Sequence, residues 1–79
     1  MADPRLATAD AYYEHGCRLV DQADRLWADA HDTARPADMR AVSRHAYEQV
    51  AARARTRFRR HDVLLDAVAR AAQQEPQQP

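Results

Sequence analysis

Arginine side chains are concentrated in a short segment of the second half of the chain. In a helix, spacings of four and three residues place Arg53, Arg57 and Arg60 on one side. A row of guanidinium groups of this kind is suited to the phosphates of a nucleic-acid backbone. These three arginines are therefore the predicted contacts of a nucleic-acid-binding function. The whole segment contains five of the 12 basic residues of the protein: Arg53, Arg55, Arg57, Arg59 and Arg60.

The charge of the whole chain favours a different use of these arginines. The formal net charge is +0 at pH 7, whereas dedicated nucleic-acid-binding domains are usually strongly basic. Residues 1–34 carry seven acidic residues and three arginines, and residues 35–79 carry nine arginines and five acidic residues. Opposite charges are also typical of two segments that face each other. A small nucleic-acid-binding or regulatory protein that uses the Arg53–Arg60 side is therefore the alternative function.

The histidines and the single cysteine do not have the spacing of a metal site. The same interval separates His15 from His31 and His45 from His61. At about 100° per residue, this interval places the two side chains of each pair on nearly opposite sides of a helix. Zinc sites usually contain pairs of closely spaced ligands such as two Cys or two His, and the chain has a single cysteine and no His-x₃-His pair. We predict neither a metal nor a cofactor.

One short motif resembles a catalytic sequence. Arg40 and His45 are separated by four residues, which resembles the Arg-x₄₋₆-His motif of HEPN ribonucleases. That resemblance implies a helical ribonuclease in which Arg40 and His45 are catalytic. The four-helix core of that family is larger than this chain, and the sequence contains neither a phosphate-binding Gly-rich loop nor a pattern typical of a nucleophile triad. We therefore predict a non-enzymatic protein.

The composition and the positions of proline and capping residues predict that all of these side chains lie on helices. Eighteen alanines and one glycine favour helix strongly. Asp3 has the type of an N-cap residue and Pro4 that of a first helical residue, so helix one should run from Pro4 to about Ala30. The break at residues 32–36 should end it, because proline is accepted only in the first turn of a helix.

The second helix should start near Pro36 and run to about Gln73. A break at His61-Asp62 would give a short third helix from Val63, because Asp62 could cap it. We favour one continuous helix, since the 3.6-residue apolar pattern crosses position 61 without interruption. The prediction is one helical hairpin domain over residues 1–74 and a disordered, proline-containing tail over residues 75–79.

Helix one contains a regular stripe of small residues. Ala9, Gly16, Ala23 and Ala30 recur every seven residues, which keeps one seam facing a partner helix over several turns. Small residues in the centre of the seam allow two backbones to approach closely. The large residues on its two flanks are Tyr12, Leu19 and Leu26 on one side and Tyr13, Val20 and Trp27 on the other.

Opposite charges predict how the two helices are paired. If the chain folds back at residues 33–34, four pairs of opposite sign become level, which indicates an antiparallel hairpin. Exposed pairs of this kind stabilise a fold weakly, so they indicate register more than stability. The pairs are Asp10 with Arg57, Glu14 with Arg53, Arg18 with Glu48, and Asp24 with Arg44.

The small apolar content predicts association. Chains of this size usually need disulfides or oligomerisation for stability, and Cys17 is the only cysteine. We predict a homodimer that forms a four-helix bundle, or docking on another helical protein. The predicted partner interface consists of Tyr12, Tyr13, Gly16, Leu19, Val20, Ala23, Leu26, Trp27, Leu64, Leu65 and Val68.

No membrane span or signal peptide is predicted, so the expected location is cytoplasmic.

Overall fold

A computed structural model of the chain describes residues 2–74, and it is an antiparallel hairpin of two helices. Helix α1 comprises Pro4–Ala30 and helix α2 comprises Ala37–Gln74. The prediction of an all-α hairpin is confirmed. Helix α2 passes through His61 and Asp62 without a break, so the alternative third helix from Val63 does not form. The predicted disordered tail, residues 75–79, lies outside the described residues.

The first helix begins at the predicted cap. The side chain of Asp3 accepts a hydrogen bond from the backbone N–H of Arg5 at 2.9 Å, and Pro4 occupies the first turn. The guanidinium of Arg5 also binds the Asp3 carboxylate, with a shortest N···O distance of 2.7 Å. These hydrogen bonds lower the pKa of Asp3 and raise that of Arg5. Proline and an acidic N-cap thus fix the position at which α1 starts.

One hydrogen bond and two ion pairs of aspartates organise the turn. The side chain of Asp32 accepts a hydrogen bond from the backbone N–H of Ala34 at 3.0 Å, which is typical of an Asx turn. Arg35 lies between Asp29 and Asp32, with N···O distances of 3.4 and 3.7 Å. Helix α2 starts directly after Pro36, and the backbone N–H of Arg40 donates to the Pro36 carbonyl.

The core between the helices is thin and consists mainly of small side chains. The buried apolar residues are Ala9, Leu19, Ala23, Ala30, Val50 and Ala54. Among residues 2–74, no large side chain is fully buried. The hairpin measures 70 × 16 × 12 Å, so each helix has one partner and most of its circumference remains uncovered.

The small-residue stripe of α1 is the line of closest approach to α2. All four stripe residues are buried, as the seven-residue spacing predicted. Gly16 lies directly under the ring of Phe58. A Cβ atom at position 16 would be only 2.7 Å from Phe58 Cε1 and 2.9 Å from Cζ. The absence of a side chain at Gly16 is thus what allows the Phe58 ring to pack on α1.

The predicted register of the hairpin is wrong. Folding at residues 33–34 would place Gly16 level with Ala51 and Trp27 level with Arg40. Instead, Gly16 contacts Phe58, and Trp27 lies against Tyr47. Side chains lean toward the N-terminus of their own helix, and in an antiparallel pair the two leans are opposed. Contacts therefore join a residue of α1 to one farther along α2, which explains the direction of the shift.

The four ion pairs expected from the predicted register are not formed among residues 2–74 either. The arginines that do pair in this part of the chain are Arg5, Arg35 and Arg70. Seen down the helix axis, Glu14 lies on the side of α1 turned away from α2, and Asp10 lies about a quarter of a turn from the buried stripe, beside the contact rather than in it. Packing of Phe58 on Gly16 and of Trp27 on Tyr47 determines the alignment instead.

Candidate interaction surface

Three residues of the predicted partner interface are covered by the chain's own second helix. Gly16, Leu19 and Ala23 are buried in the hairpin, and α2 covers them. Tyr12 and Leu26 are half-buried on the side of the hairpin that carries Arg57 and Arg60. The remaining α1 residues of the prediction, Tyr13, Val20 and Trp27, are exposed on the other side.

These exposed residues form part of a long apolar side of the hairpin. On α1, Leu6, Tyr13, Val20 and Trp27 follow one another at intervals of seven residues and are between 38% and 51% exposed. On α2, the half-buried rings of Tyr47 and Phe58 lie beside them, and Leu65 shares the side of Phe58 because it follows by two helical turns. The apolar face is the set Leu6, Tyr13, Val20, Trp27, Tyr47, Phe58 and Leu65.

Aromatic contacts fix the shape of the apolar face. Tyr13 packs edge-on against Phe58, with ring centroids 5.7 Å apart, and against His61 at 5.3 Å. Nearer the turn, Trp27 contacts Tyr47 at 5.1 Å. Aromatic pairs in this geometry contribute about 0.5–1.5 kcal/mol beyond burial. The exposed rings are thus held in place before any partner binds.

A shallow groove lies in the middle of the apolar face. It has a volume of about 220 Å³ and is lined by Val20, Ala23 and Asp24 of α1 and by Tyr47, Ala51, Ala54, Arg55 and Phe58 of α2. Ala51 and Ala54 form the floor because their short side chains leave space beside the larger Val20 and Phe58. A depression of this kind accommodates a protruding apolar side chain of a second helix.

Charged residues border the apolar face, and their signs differ between the helices. Asp24 on α1 and Arg55 on α2 both line the groove, and both are exposed. By helical spacing, Asp10 lies on the same side of α1 as Asp24, and Arg44 on the same side of α2 as Arg55. Within residues 2–74, none of these four side chains forms an ion pair.

The far end of α2 is more covered than the sequence predicted. Leu64 and Val68 are half-buried, whereas Leu65 is 40% exposed. In the predicted register, α1 would cover α2 only to about residue 63, so all three residues would remain uncovered in a monomer. This prediction is wrong for Leu64 and Val68, because the shifted register lets α1 reach farther along α2. Val63 is 61% exposed, although the prediction did not include it.

The predicted nucleic-acid contacts lie on the opposite side of the hairpin. Arg53 and Arg60 are exposed and Arg57 is half-buried. The guanidinium carbon atoms of Arg57 and Arg60 are 5.9 and 5.7 Å from the centroid of the Tyr12 ring. The three arginines line one groove, together with Ala52 and Thr56. The structure thus brings the predicted contacts together.

The histidines occupy separate local environments. His31 Nδ1 lies 2.8 Å from the Trp27 carbonyl oxygen, and His45 Nε2 lies 3.2 Å from Gln49 Nε2. His61 Nδ1 lies 3.0 Å from Asp62 Oδ1. In the part of the chain that the structure describes, no three His, Cys, Asp or Glu side chains converge as they would around a metal ion.

The Arg40 and His45 side chains do not share a side of α2, because five residues correspond to about 140° beyond a full turn. Arg40 Nε is buried and has no hydrogen-bond partner among the described residues, whereas His45 is exposed.

Over residues 2–74, neither helix has a stretch long and apolar enough to cross a bilayer. No protein-family model, curated protein or solved structure matches the chain.

Proposed function

We propose that the chain is a non-enzymatic helical interaction module that self-associates through its apolar face, forming a homodimeric four-helix bundle. The observation that carries this proposal is the row Leu6, Tyr13, Val20 and Trp27. These residues recur every seven positions, and each is more than a third exposed. A sevenfold apolar repeat that its own hairpin leaves uncovered is typical of a helix with a second partner. Contiguous exposed apolar patches usually mark interaction sites.

The composition of the core supports association. A hairpin whose buried apolar residues are four alanines, Leu19 and Val50 removes little apolar area from water on folding. Burial of one large apolar side chain contributes roughly 1.5–3 kcal/mol, and two of the largest in this protein, Tyr13 and Trp27, are about half exposed. Covering the apolar face would bring Tyr13, Val20 and Trp27 into a core, which supplies the stabilisation that the single hairpin lacks.

Charge complementarity favours a second copy as the occupant. The apolar face is bordered by Asp10 and Asp24 on α1 and by Arg44 and Arg55 on α2. If two copies pack face to face with their turns at the same end, a twofold axis parallel to the helices places α1 of each copy against α2 of the other. The acidic edge of α1 then faces the basic edge of α2 in the second copy, and a surface that is complementary to itself is what a twofold interface requires.

Tryptophan emission offers a test that is specific to the apolar face. The chain has one tryptophan, and Trp27 is 51% exposed in the single hairpin. Because association would remove the indole from water, the emission maximum should shift to shorter wavelength as protein concentration rises from below 1 µM to above 100 µM, the range in which dimers of about micromolar affinity form. An emission maximum that stays the same over this range would contradict association through this face.

A further inference from the structure

The arginine segment of α2 has no acidic partner within the described hairpin. Ion pairs among residues 2–74 involve Arg5, Arg35, His61 and Arg70. None of the five arginines between positions 53 and 60 takes part in one. The sequence offers a structural explanation for these arginines, namely that the acidic residues of α1 neutralise them. Among residues 2–74, no ion pair of this kind is formed.

Three of these arginines line one shallow groove on α2. The groove has a volume of about 240 Å³ and is lined by Arg53, Arg57 and Arg60, with Thr56 and Ala52 between them. The small side chain of Ala52 lets a ligand approach the helix. The hydroxyl of Thr56 donates to the Ala52 carbonyl at 3.2 Å, so its oxygen remains able to accept or exchange a hydrogen bond.

Tyr12 of α1 holds two of these arginines in position. Its ring lies under the guanidinium groups of Arg57 and Arg60, at 5.9 and 5.7 Å, within the usual range for cation–π contacts. Arg57 Nε is buried and has no hydrogen-bond acceptor among residues 2–74. The terminal N–H groups remain available as donors, and guanidinium groups recognise phosphate oxygens with two parallel hydrogen bonds.

We infer that this groove binds the phosphates of a nucleic-acid backbone without regard to sequence. Along α2, Arg53 and Arg60 are separated by about 10 Å at 1.5 Å per residue. One strand of a duplex carries a phosphate for about every 3.4 Å of its axis. The row of three guanidinium groups can thus neutralise about three phosphates of one strand. It lies on the side of the hairpin opposite the apolar face, so a dimer can present it.

Binding can be measured by the fluorescence anisotropy of a labelled random-sequence DNA duplex and of a single-stranded RNA of equal length. With about three phosphates neutralised, the logarithm of the affinity should fall against the logarithm of salt concentration with a slope near −2.7 for the duplex and near −2.1 for the single-stranded RNA. The variant Arg53→Gln/Arg57→Gln/Arg60→Gln should bind at least tenfold more weakly. The matched control Arg18→Gln/Arg25→Gln/Arg70→Gln has the same charge change at exposed positions elsewhere and should bind as the wild type does.

Several outcomes would overturn the inference. Absence of binding at low salt, or an equal loss in the control variant, would show that no specific groove is used. If neither nucleic acid binds but inorganic phosphate binds saturably, the groove is a site for a small anion. If the triple variant has a lower melting temperature, Arg53→Gln/Arg60→Gln, which leaves Arg57 packed on Tyr12, provides the comparison, and it should still lose most of the affinity.

Discussion

Replacing Val20 with aspartate is expected to convert the protein into a monomer at concentrations at which the wild type is dimeric. Val20 is 38% exposed in the hairpin and borders the central groove of the apolar face. In the proposed dimer, the new carboxylate would be removed from water without a partner, and this happens twice because of the twofold symmetry. Each buried unpaired charge costs several kcal/mol, so the dissociation constant should rise by about a hundredfold or more.

The matched control for this substitution is Ala11→Asp. Ala11 is exposed on the opposite side of α1 from Val20, because nine residues correspond to two and a half helical turns. Both variants should keep the helical circular-dichroism signal of the hairpin, since neither position is buried. Sedimentation equilibrium of the two variants at one concentration then separates the interface from the outer surface. Equal masses for Val20→Asp and Ala11→Asp would exclude Val20 from the interface.

Replacing Gly16 with leucine is expected to destabilise the hairpin by about 1–3 kcal/mol, which is the usual cost of overpacking. A Cβ atom at this position would lie 2.7 Å from Phe58 Cε1, and the larger leucine would displace the whole ring. The ring would lose its contact with Tyr13, whose centroid is 5.7 Å away. Thermal unfolding at a fixed protein concentration measures the effect, because association makes the midpoint depend on concentration.

Two comparisons attribute this loss to the contact with Phe58. Ala28→Leu adds the same side chain at an exposed position of α1 and should leave the midpoint nearly unchanged. In a Phe58→Leu background, Gly16→Ala should raise the midpoint, because the ring is gone and alanine favours helix over glycine by about 1 kcal/mol. If Gly16→Leu and Ala28→Leu have the same midpoint, Gly16 does not lie on the line of closest approach.

Local signals predicted the boundaries of the helices because each has a single physical cause. Asp3 and Pro4 define the start of α1, and Pro36 defines the start of α2. The uninterrupted apolar period predicted that α2 continues past His61, as observed. The stripe of small residues was found from its sevenfold spacing, since four buried positions on one line leave a clear pattern even in an alanine-rich chain.

The register could not be predicted from charge. Exposed ion pairs are worth too little to determine an alignment, so four plausible pairs carried no more weight than the alternatives. The alignment is determined by the packing of Phe58 on Gly16, which depends on three-dimensional fit. Periodicity also left open which side of α1 is covered by α2, so the predicted interface combined buried Leu19 and Ala23 with exposed Val20.

Residues of the apolar face that the sequence prediction did not include are Leu6, Tyr47 and Phe58. Leu6 could have been found, because it precedes Tyr13 by seven residues and extends the row Tyr13, Val20, Trp27. Tyr47 and Phe58 could not, because α2 lacks a strict seven-residue repeat and only the observed register brings their rings beside Trp27 and Tyr13.

The mass of the wild-type protein in solution tests self-association through the apolar face most directly. Sedimentation equilibrium should be recorded over protein concentrations from about 1 to 100 µM, the range that corresponds to association free energies near −8 to −5 kcal/mol. We predict a mass that approaches twice the 9.0 kDa of one chain as concentration rises, and a Val20→Asp variant that remains at the mass of one chain. A wild-type protein with the mass of a single chain at every concentration would contradict the proposal.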